Sequence, residues 1–316
     1  MNQAPKVIYI LGHAYSGSTL FGLALGRHKD ILCLGEVTYL ESDYHINKKC
    51  CCGKTVINCS FWGRVIPSFT NSQKSSPSIE KWKFSGNAEV HPFDKRNDIR
   101  KVFAAIGLNP RKLYSKEVVR SYELKNHVFF NHISNCYAAN KFILDLSKSP
   151  TRILAIDHTD KIDSYVIYLK RDLDAVFSSI MKRPIRRRKN LGFKTLRECL
   201  WLCLKQRSIE RTFKNLATNK KITVHWDNFL KDPESEMNRI AHWLSISDLK
   251  CKSPRIIDTI EQHLYVGNRW LFKKKGSEIA INVADKSDKL TSVQSFVFKI
   301  ITRLFNVSKQ VKVGRS

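Results

Sequence analysis

A glycine- and serine-rich turn near the amino terminus has the spacing of a phosphate-binding loop. An apolar stretch leads into residues Gly12–Thr19, GHAYSGST, which fit the pattern Gly-x4-Gly-x-Ser/Thr. Backbone N–H groups and the positive dipole end at the start of a helix attract anions there. Ser18 stands where a loop for nucleoside triphosphates has its lysine, so we expect a nucleotide with a single 5′-phosphoryl group. The alternative is a serine-rich helix start without a ligand.

Other charged side chains follow apolar runs elsewhere in the chain. Lys148 and Arg171 each come at the end of such a run, and Glu36 follows Leu34-Gly35. An arginine offers a planar fork of donors that suits a phosphate. Asp145 resembles a magnesium ligand by position, but without the loop lysine we expect it to be structural. Ligands of open α/β sheets bind where the carboxyl ends of the strands meet.

Alternation of short apolar runs with helical stretches indicates the fold class. Predicted strands cover Val7–Leu11, Lys141–Leu144, Tyr165–Leu169 and Ile222–Trp226, and each is followed by a turn and a helix-like segment. Such alternation predicts an α/β fold with a central, mainly parallel sheet flanked by helices, in three layers of the P-loop type.

Composition limits the classes of protein that remain. The 316 residues are 42% hydrophobic, which excludes a wholly disordered chain, and no apolar run reaches the length of a membrane span. We expect a single domain over residues 1–316. It carries a partly helical, cysteine-containing insertion at about 46–140 and a basic helix at about 290–308. Because no signal peptide is apparent, we expect a cytoplasmic protein.

The loop and four further blocks resemble the sulfotransferases that use 3′-phosphoadenosine 5′-phosphosulfate (PAPS), nearest to bacterial members related to carbohydrate and tyrosyl-protein enzymes. The blocks are Arg171 with Ser179 eight positions later, 142–150, 225–234 and 263–274. The resemblance implies PAPS as co-substrate and no metal. Its implied cofactor-binding residues are Tyr15, Ser16, Gly17, Ser18, Thr19, Leu20, Arg171, Ser179 and Lys274. Two family basic residues are replaced, by Tyr15 and Leu271, and the candidate substitutes for the second are Arg269, Lys273, Lys274 and Lys275.

The same resemblance implies the catalytic residues. Gly35-Glu36 resembles a family element whose glutamate takes the acceptor proton, so Glu36 is the expected base. His13, His45 and His158 compete for that role because imidazoles titrate near neutrality. The loop amides and Lys148 are the candidates for stabilising charge on the leaving group, since Tyr15 occupies the usual basic position.

Four cysteines lie within Cys50–Cys59. Cys50, Cys52 and Cys59 resemble an element of bacterial sulfotransferases, which we expect to be structural or disulfide-prone. A zinc site and free thiols are the alternatives. Since no second pair of cysteines or histidines has suitable spacing, we expect no metal.

Positive charge favours an anionic partner. Lys and Arg number 55 against 28 Asp and Glu, a formal net charge of +27. The expected acceptor is a hydroxyl of a carbohydrate or polar metabolite, with an anionic glycan as one candidate. A P-loop kinase or nucleotide hydrolase is one alternative. A nucleic-acid-binding protein, suggested by the basic run 182–189, is another, but we expect no nucleic acid because no binding motif accompanies it. Peripheral membrane contact is the alternative to docking for the final helix.

Overall fold

A five-stranded, wholly parallel sheet forms the centre of the computed structural model. The structure describes residues 4–73, 112–137, 139–181, 191–248, 256–257, 263–264, 279–280 and 290–305. The strands lie in the order β2-β3-β1-β4-β5. Their bounds are β1 Lys6–Gly12, β2 Ile31–Gly35, β3 Phe142–Lys148, β4 Asp163–Lys170 and β5 Lys221–His225. The predicted α/β fold is confirmed.

Helices flank this sheet. Ten α-helices lie within the described residues: α1 Ser18–Leu25, α2 Leu40–His45, α3 Trp62–Gln73, α4 Lys116–Cys136, α5 Pro150–Asp157, α6 Leu173–Met181, α7 Leu191–Lys214, α8 Trp226–Lys231, α9 Pro233–Leu244 and α10 Ser292–Leu304. A 3₁₀ turn covers Val37–Tyr39, and a small antiparallel pair joins β6 Ile256–Ile257 to β7 Ile279–Ala280. The predicted insertion contributes α3 and α4.

Strand β1 is buried on both faces, as its unbroken apolar sequence predicted. Val7–Leu11 has no exposed surface, and Val7 pairs with Ile143 on one side and with Ser164 on the other. Two predicted ends were wrong. Strand β3 continues to Lys148, and Trp226 begins a helix instead of ending a strand. Aromatic residues are common in strands, which favoured a strand at Trp226. In the structure the indole is buried from the first position of α8.

The parallel direction of the strands places all their carboxyl ends at one edge of the sheet. The chain passes from β1 to β2 and β3 on one side of β1 and then crosses from β3 to β4 on the other side, so a crevice opens beside the end of β1. The loop Gly12–Thr19, Glu36, Lys148, Arg171 and Trp226 all lie at or just beyond those ends. The topology therefore concentrates the sequence-predicted groups at one edge of the sheet.

Helix α10 docks on α6 through only part of its apolar surface. Phe298 and Ile301 are buried, and the Phe298 ring stacks on Phe177 of α6 with 4.9 Å between centroids. Phe296, Ile300 and Leu304 are exposed, although helical spacing places them near the same side as Ile301. Apolar residues occur on two sides of this helix, so periodicity did not distinguish them. Within the described residues, no helix has the length and apolarity needed to cross a membrane.

A buried ionic network supports the end of β3. Asp145 has no exposed surface and accepts hydrogen bonds from Arg152 Nε at 3.1 Å and from Ser147 N at 2.9 Å. Arg152, at 1% exposure, also donates to the hydroxyl of Tyr122 on α4. The Thr38 amide donates to Ser147 Oγ at 3.1 Å. This geometry agrees with the structural role expected for Asp145 and links β3 to three neighbouring segments.

Replacing Asp145 should destabilise the fold. Asp145→Ala leaves the Arg152 guanidinium buried without its carboxylate, so we expect the unfolding free energy to fall by about 3–5 kcal/mol. Denaturant titration measures this change. The matched control is Asp163→Ala, because Asp163 pairs with Lys220 at 2.6 Å in a more exposed place. The control should cost about 0–1 kcal/mol. Equal, small effects of both variants would contradict the structural role.

Candidate functional site at the carboxyl edge of the sheet

The loop Gly12–Thr19 has the backbone of an anion cradle. Tyr15 and Gly17 adopt left-handed conformations, with φ of 68° and 85°. The first hydrogen bond of α1 runs from the Phe21 amide to the Gly17 carbonyl at 3.0 Å, so the amides of residues 18–20 precede it. Left-handed residues within such a turn direct successive N–H groups toward one concavity. These amides supply the donors that a phosphate or sulfate requires.

Arg171 and Trp226 join the loop to the ends of β4 and β5. Arg171 Nη1 donates to the Tyr15 carbonyl at 2.6 Å, and its guanidinium carbon lies 5.9 Å from the centre of the Trp226 ring. The indole covers Gly17, since a Cβ built there would lie 2.3 Å from Cζ3 of Trp226. Partial burial lowers the pKa of Arg171. The sequence analysis placed Trp226 in the block 225–234 but did not assign it to the site.

Glu36 and Lys148 meet at the same edge as an ion pair. Lys148 Nζ donates to Glu36 Oε1 at 2.6 Å and to the Leu146 carbonyl at 2.9 Å. The side chains are only 9% and 17% exposed, for Lys148 and Glu36 respectively. Lys148 and Gly35 both have positive φ, so the backbone turns sharply where each strand ends. The sequence analysis named both residues but did not predict their direct contact.

The two competing histidines whose positions are described, His13 and His158, are placed less favourably than Glu36 for the role of base. His13 is buried, and its Nε2 lies 2.8 Å from Gln206 Oε1. Burial, with a contribution from Lys205, lowers the pKa of His13 to about 3, so the imidazole is neutral. His158 follows α5, which runs back from the end of β3 toward the start of β4 and hence toward the opposite edge. The side chain of His45 lies outside the described residues.

Other implied cofactor residues differ in what they offer. Ser18 and Thr19 are buried at the start of α1, and Leu20 is buried in the core, which leaves its amide as the available donor. Ser179 donates to the Ala175 carbonyl at 2.8 Å within its own helix. The described hydrogen bonds do not connect Ser179 to Arg171. Lys274 lies outside the described residues.

Two buried donors at the edge suit an anionic ligand. Ser16 Oγ, with 0% residue exposure, and Arg171 Nε have no hydrogen-bond partner among the described residues. An unsatisfied buried polar group typically costs about 1–3 kcal/mol, and ligand oxygens would relieve that cost. These donors and the loop amides therefore fit the 5′-phosphosulfate and the 3′-phosphate of a nucleotide such as PAPS.

A histidine that the sequence analysis missed lies beside the cysteine knuckle, which we define as Cys50–Cys59. His263 approaches Cys59, with Nδ1 3.2 Å from Sγ. The sequence analysis excluded a second pair of cysteines or histidines at suitable spacing and did not connect the single His263 with Cys59. Their separation of 204 positions made local spacing uninformative. His263 begins the fifth block of the sequence resemblance, which was the available signal.

Comparison with known proteins found distant structural similarity. The sulfotransferase domain of the Synechococcus PCC 7002 olefin synthase is 14% identical, with a TM-score of 0.47 and 96% coverage of both chains. The sulfotransferase domain from the curacin biosynthetic pathway is 12% identical, with a TM-score of 0.49 and coverage of 96% of this chain and 99% of that one. No curated protein matches the sequence. Similarities of this strength establish no function.

A sequence family gives the firmer relationship. The profile described as "Sulfotransferase family" matches residues 66–249, more than half of the chain. The matched range contains Lys148, Arg171 and Ser179, while the loop Gly12–Thr19 and Glu36 lie before it. Together with the parallel sheet and the loop geometry already described, this match shows that the chain belongs to the sulfotransferase family.

Proposed function

We propose that this protein transfers the sulfuryl group of PAPS to a hydroxyl acceptor by in-line displacement. The observation that carries the proposal is the lysine-free loop Gly12–Thr19, bonded to Arg171 and placed on the same sheet edge as the Glu36–Lys148 pair. A triphosphate-transferring site would need the missing lysine. The expected product of the nucleotide is adenosine 3′,5′-bisphosphate.

The loop and Arg171 would hold the nucleotide. Amides of residues 18–20 and the hydroxyls of Ser16, Ser18 and Thr19 bind the anionic 5′ end, where the helix dipole favours negative charge. Arg171, with its Nε still without a partner among the described residues, binds the 3′-phosphate. Bound PAPS supplies the sulfuryl group and carries its own leaving group. The protein's contribution is therefore position and charge.

Glu36 and Lys148 would act on the acceptor and on the developing charge. Glu36 accepts the proton of the acceptor hydroxyl as that oxygen attacks. Lys148 orients the Glu36 carboxylate through their 2.6 Å contact and neutralises negative charge that develops beside the loop. Both side chains are largely removed from water, which strengthens these interactions. The pair thus supplies a base and a cation at adjacent points.

The acceptor in this proposal is a carbohydrate or another polar metabolite. The formal net charge of +27 raises the local concentration of anions around the protein and speeds their encounter with it. An anionic glycan would benefit from this field, particularly at low salt. A hydroxyl acceptor carries the proton that Glu36 accepts as the acceptor oxygen attacks.

Adenosine 3′,5′-bisphosphate should stabilise the protein more than ATP with Mg²⁺ does. At 100 times its dissociation constant a ligand adds roughly 2.7 kcal/mol, which raises the melting temperature by about a few degrees. Thermal unfolding with each nucleotide at equal concentrations measures the difference. Greater stabilisation by ATP with Mg²⁺ would favour a P-loop kinase or hydrolase instead.

Arg171→Ala should remove the preference for a 3′-phosphate. Loss of a charge-assisted contact worth about 1.5–3 kcal/mol weakens bisphosphate binding roughly 10- to 150-fold. Because Arg171 also bonds the Tyr15 carbonyl, the informative quantity is the affinity ratio of the bisphosphate to adenosine 5′-phosphate, measured by calorimetry. The matched control is Lys170→Ala, which removes an equal charge from the neighbouring residue. An unchanged ratio in Arg171→Ala would refute the assignment.

Glu36→Gln should slow turnover while leaving nucleotide binding intact. The amide keeps the shape and an acceptor for Lys148 but cannot take the proton, so turnover falls by roughly 10²–10⁴-fold. The assay uses sulfur-labelled PAPS with an acceptor selected from a panel of carbohydrates and other hydroxylated compounds. Bisphosphate affinity and melting temperature are measured beside it.

The control for this variant is Glu234→Gln, at an exposed carboxylate in the first turn of α9. It should retain full turnover. An active Glu36→Gln enzyme would exclude Glu36 as the base. Parallel loss of activity and of thermal stability would show instead that Glu36 has a structural role through Lys148.

A further inference from the structure

Four metal-ligating side chains converge at the cysteine knuckle. The ligand atoms of Cys50, Cys52, Cys59 and His263 all lie within 4.8 Å of one another. Cys50 and Cys59 are buried, and Cys52 and His263 are partly buried. Three cysteines and one histidine are a ligand set that structural zinc sites use. Thiolate and imidazole ligands also disfavour magnesium and calcium, which prefer oxygen.

One sulfur–sulfur separation matches a tetrahedral ion, and one sulfur–nitrogen separation is slightly shorter than such an ion requires. Cys52 Sγ lies 3.8 Å from Cys59 Sγ, and Cys59 Sγ lies 3.2 Å from His263 Nδ1. With Zn–S of about 2.3 Å and Zn–N of about 2.0–2.1 Å, a regular tetrahedron separates such atoms by roughly 3.5–3.8 Å. A disulfide would require about 2.05 Å between sulfurs. The pair Cys52 and Cys59 is therefore at metal-sharing distance, well beyond a covalent bond.

The backbone prearranges the cysteine side of this cluster. The Gly53 amide donates to the Cys50 carbonyl at 3.0 Å, and the Cys50 amide donates to the Lys54 carbonyl at 2.8 Å. Gly53 has a φ of 86°, a conformation that glycine adopts without steric cost. A bridge between Lys49 and Thr55 closes the turn. The tight turn brings Cys50 and Cys52 to the same side before any ion binds.

Separate contacts hold the histidine in place. The Leu264 carbonyl accepts from the Cys51 amide at 2.7 Å, and the Leu264 amide lies 3.2 Å from Cys51 Sγ. Trp62 Nε1 donates to the His263 carbonyl, and the Phe61 ring stacks on the imidazole with 5.6 Å between centroids. These bonds position His263 independently of its own ring nitrogen. Cys51 is the one cysteine of the knuckle outside the ligand set, and it bonds to Leu264, the residue next to His263.

We propose that Cys50, Cys52, Cys59 and His263 bind one Zn²⁺ ion in a closed structural site. Four protein ligands fill the tetrahedron and leave no position for a substrate, so the ion stabilises structure and takes no part in sulfuryl transfer. The cysteine thiols release their protons to solvent as the ion binds. The ion ties residues 50–59 to a residue 204 positions from Cys59, which restrains the chain between them.

Metal analysis of the purified full-length protein tests the proposal. Elemental mass spectrometry should find one zinc per chain, and treatment with an organomercurial should release it in the same amount. Cys59→Ser and His263→Ala should each lose most of the metal. The matched control is Cys136→Ser, because Cys136 is exposed and its Sγ lies 3.5 Å from His132 Nε2. This control pairs a cysteine with a histidine outside the cluster and should keep its zinc.

Ligand variants could fail to fold, so the wild-type protein provides a second measurement. Removal of zinc with a chelator should lower the melting temperature by roughly 5–10 °C, and zinc, but not magnesium, should restore it. Cobalt in place of zinc should give the visible absorption of tetrahedral thiolate coordination. A metal-free native protein, a disulfide between cysteines of the knuckle, or full zinc content in both ligand variants would overturn the proposal.

Discussion

Parallel pairing of β1 with both β3 and β4 is the constraint on which the site depends. A strand whose residues 7–11 have no exposed surface is stable only where both faces are covered and both edges are bonded. That requirement puts β1 in the middle of the sheet. The loop that follows β1 must then emerge beside the ends of β3 and β4, where Lys148 and Arg171 lie. Burial of an apolar strand thereby assembles a polar site.

At the carboxyl edge of the sheet, a buried ion pair lies beside strand ends at which the chain turns sharply. The ion pair of Asp145 and Arg152 fixes the last part of β3. Positive φ angles at Gly35 and Lys148 turn the chain sharply where β2 and β3 end. The pairing of β2 with β3 also shifts register between Cys33 and Gly35. Such irregular backbone is retained where surrounding contacts determine it, and here it brings a carboxylate and an ammonium group into contact.

Local sequence patterns predicted most of the fold and located most of the site. Apolar runs identified four of the five sheet strands, and loop spacing identified the anion cradle, because both signals are contained in a few consecutive residues. Contacts between distant residues were not predictable in this way. The Glu36–Lys148 pair, the cover of Trp226 over Gly17 and the approach of His263 to Cys59 depend on how segments pack. Which apolar residues of α10 become buried depends on packing in the same way.

The close approach of Trp226 to Gly17 makes these two positions interdependent in any redesign of the protein. Even a methyl group at position 17 would overlap the indole, and the positive φ there would add strain. Reducing the indole to create space would remove the aromatic surface beside the Arg171 guanidinium. A change of loop residue therefore carries a second cost at the arginine. Substitutions at positions 17, 171 and 226 must therefore be designed together.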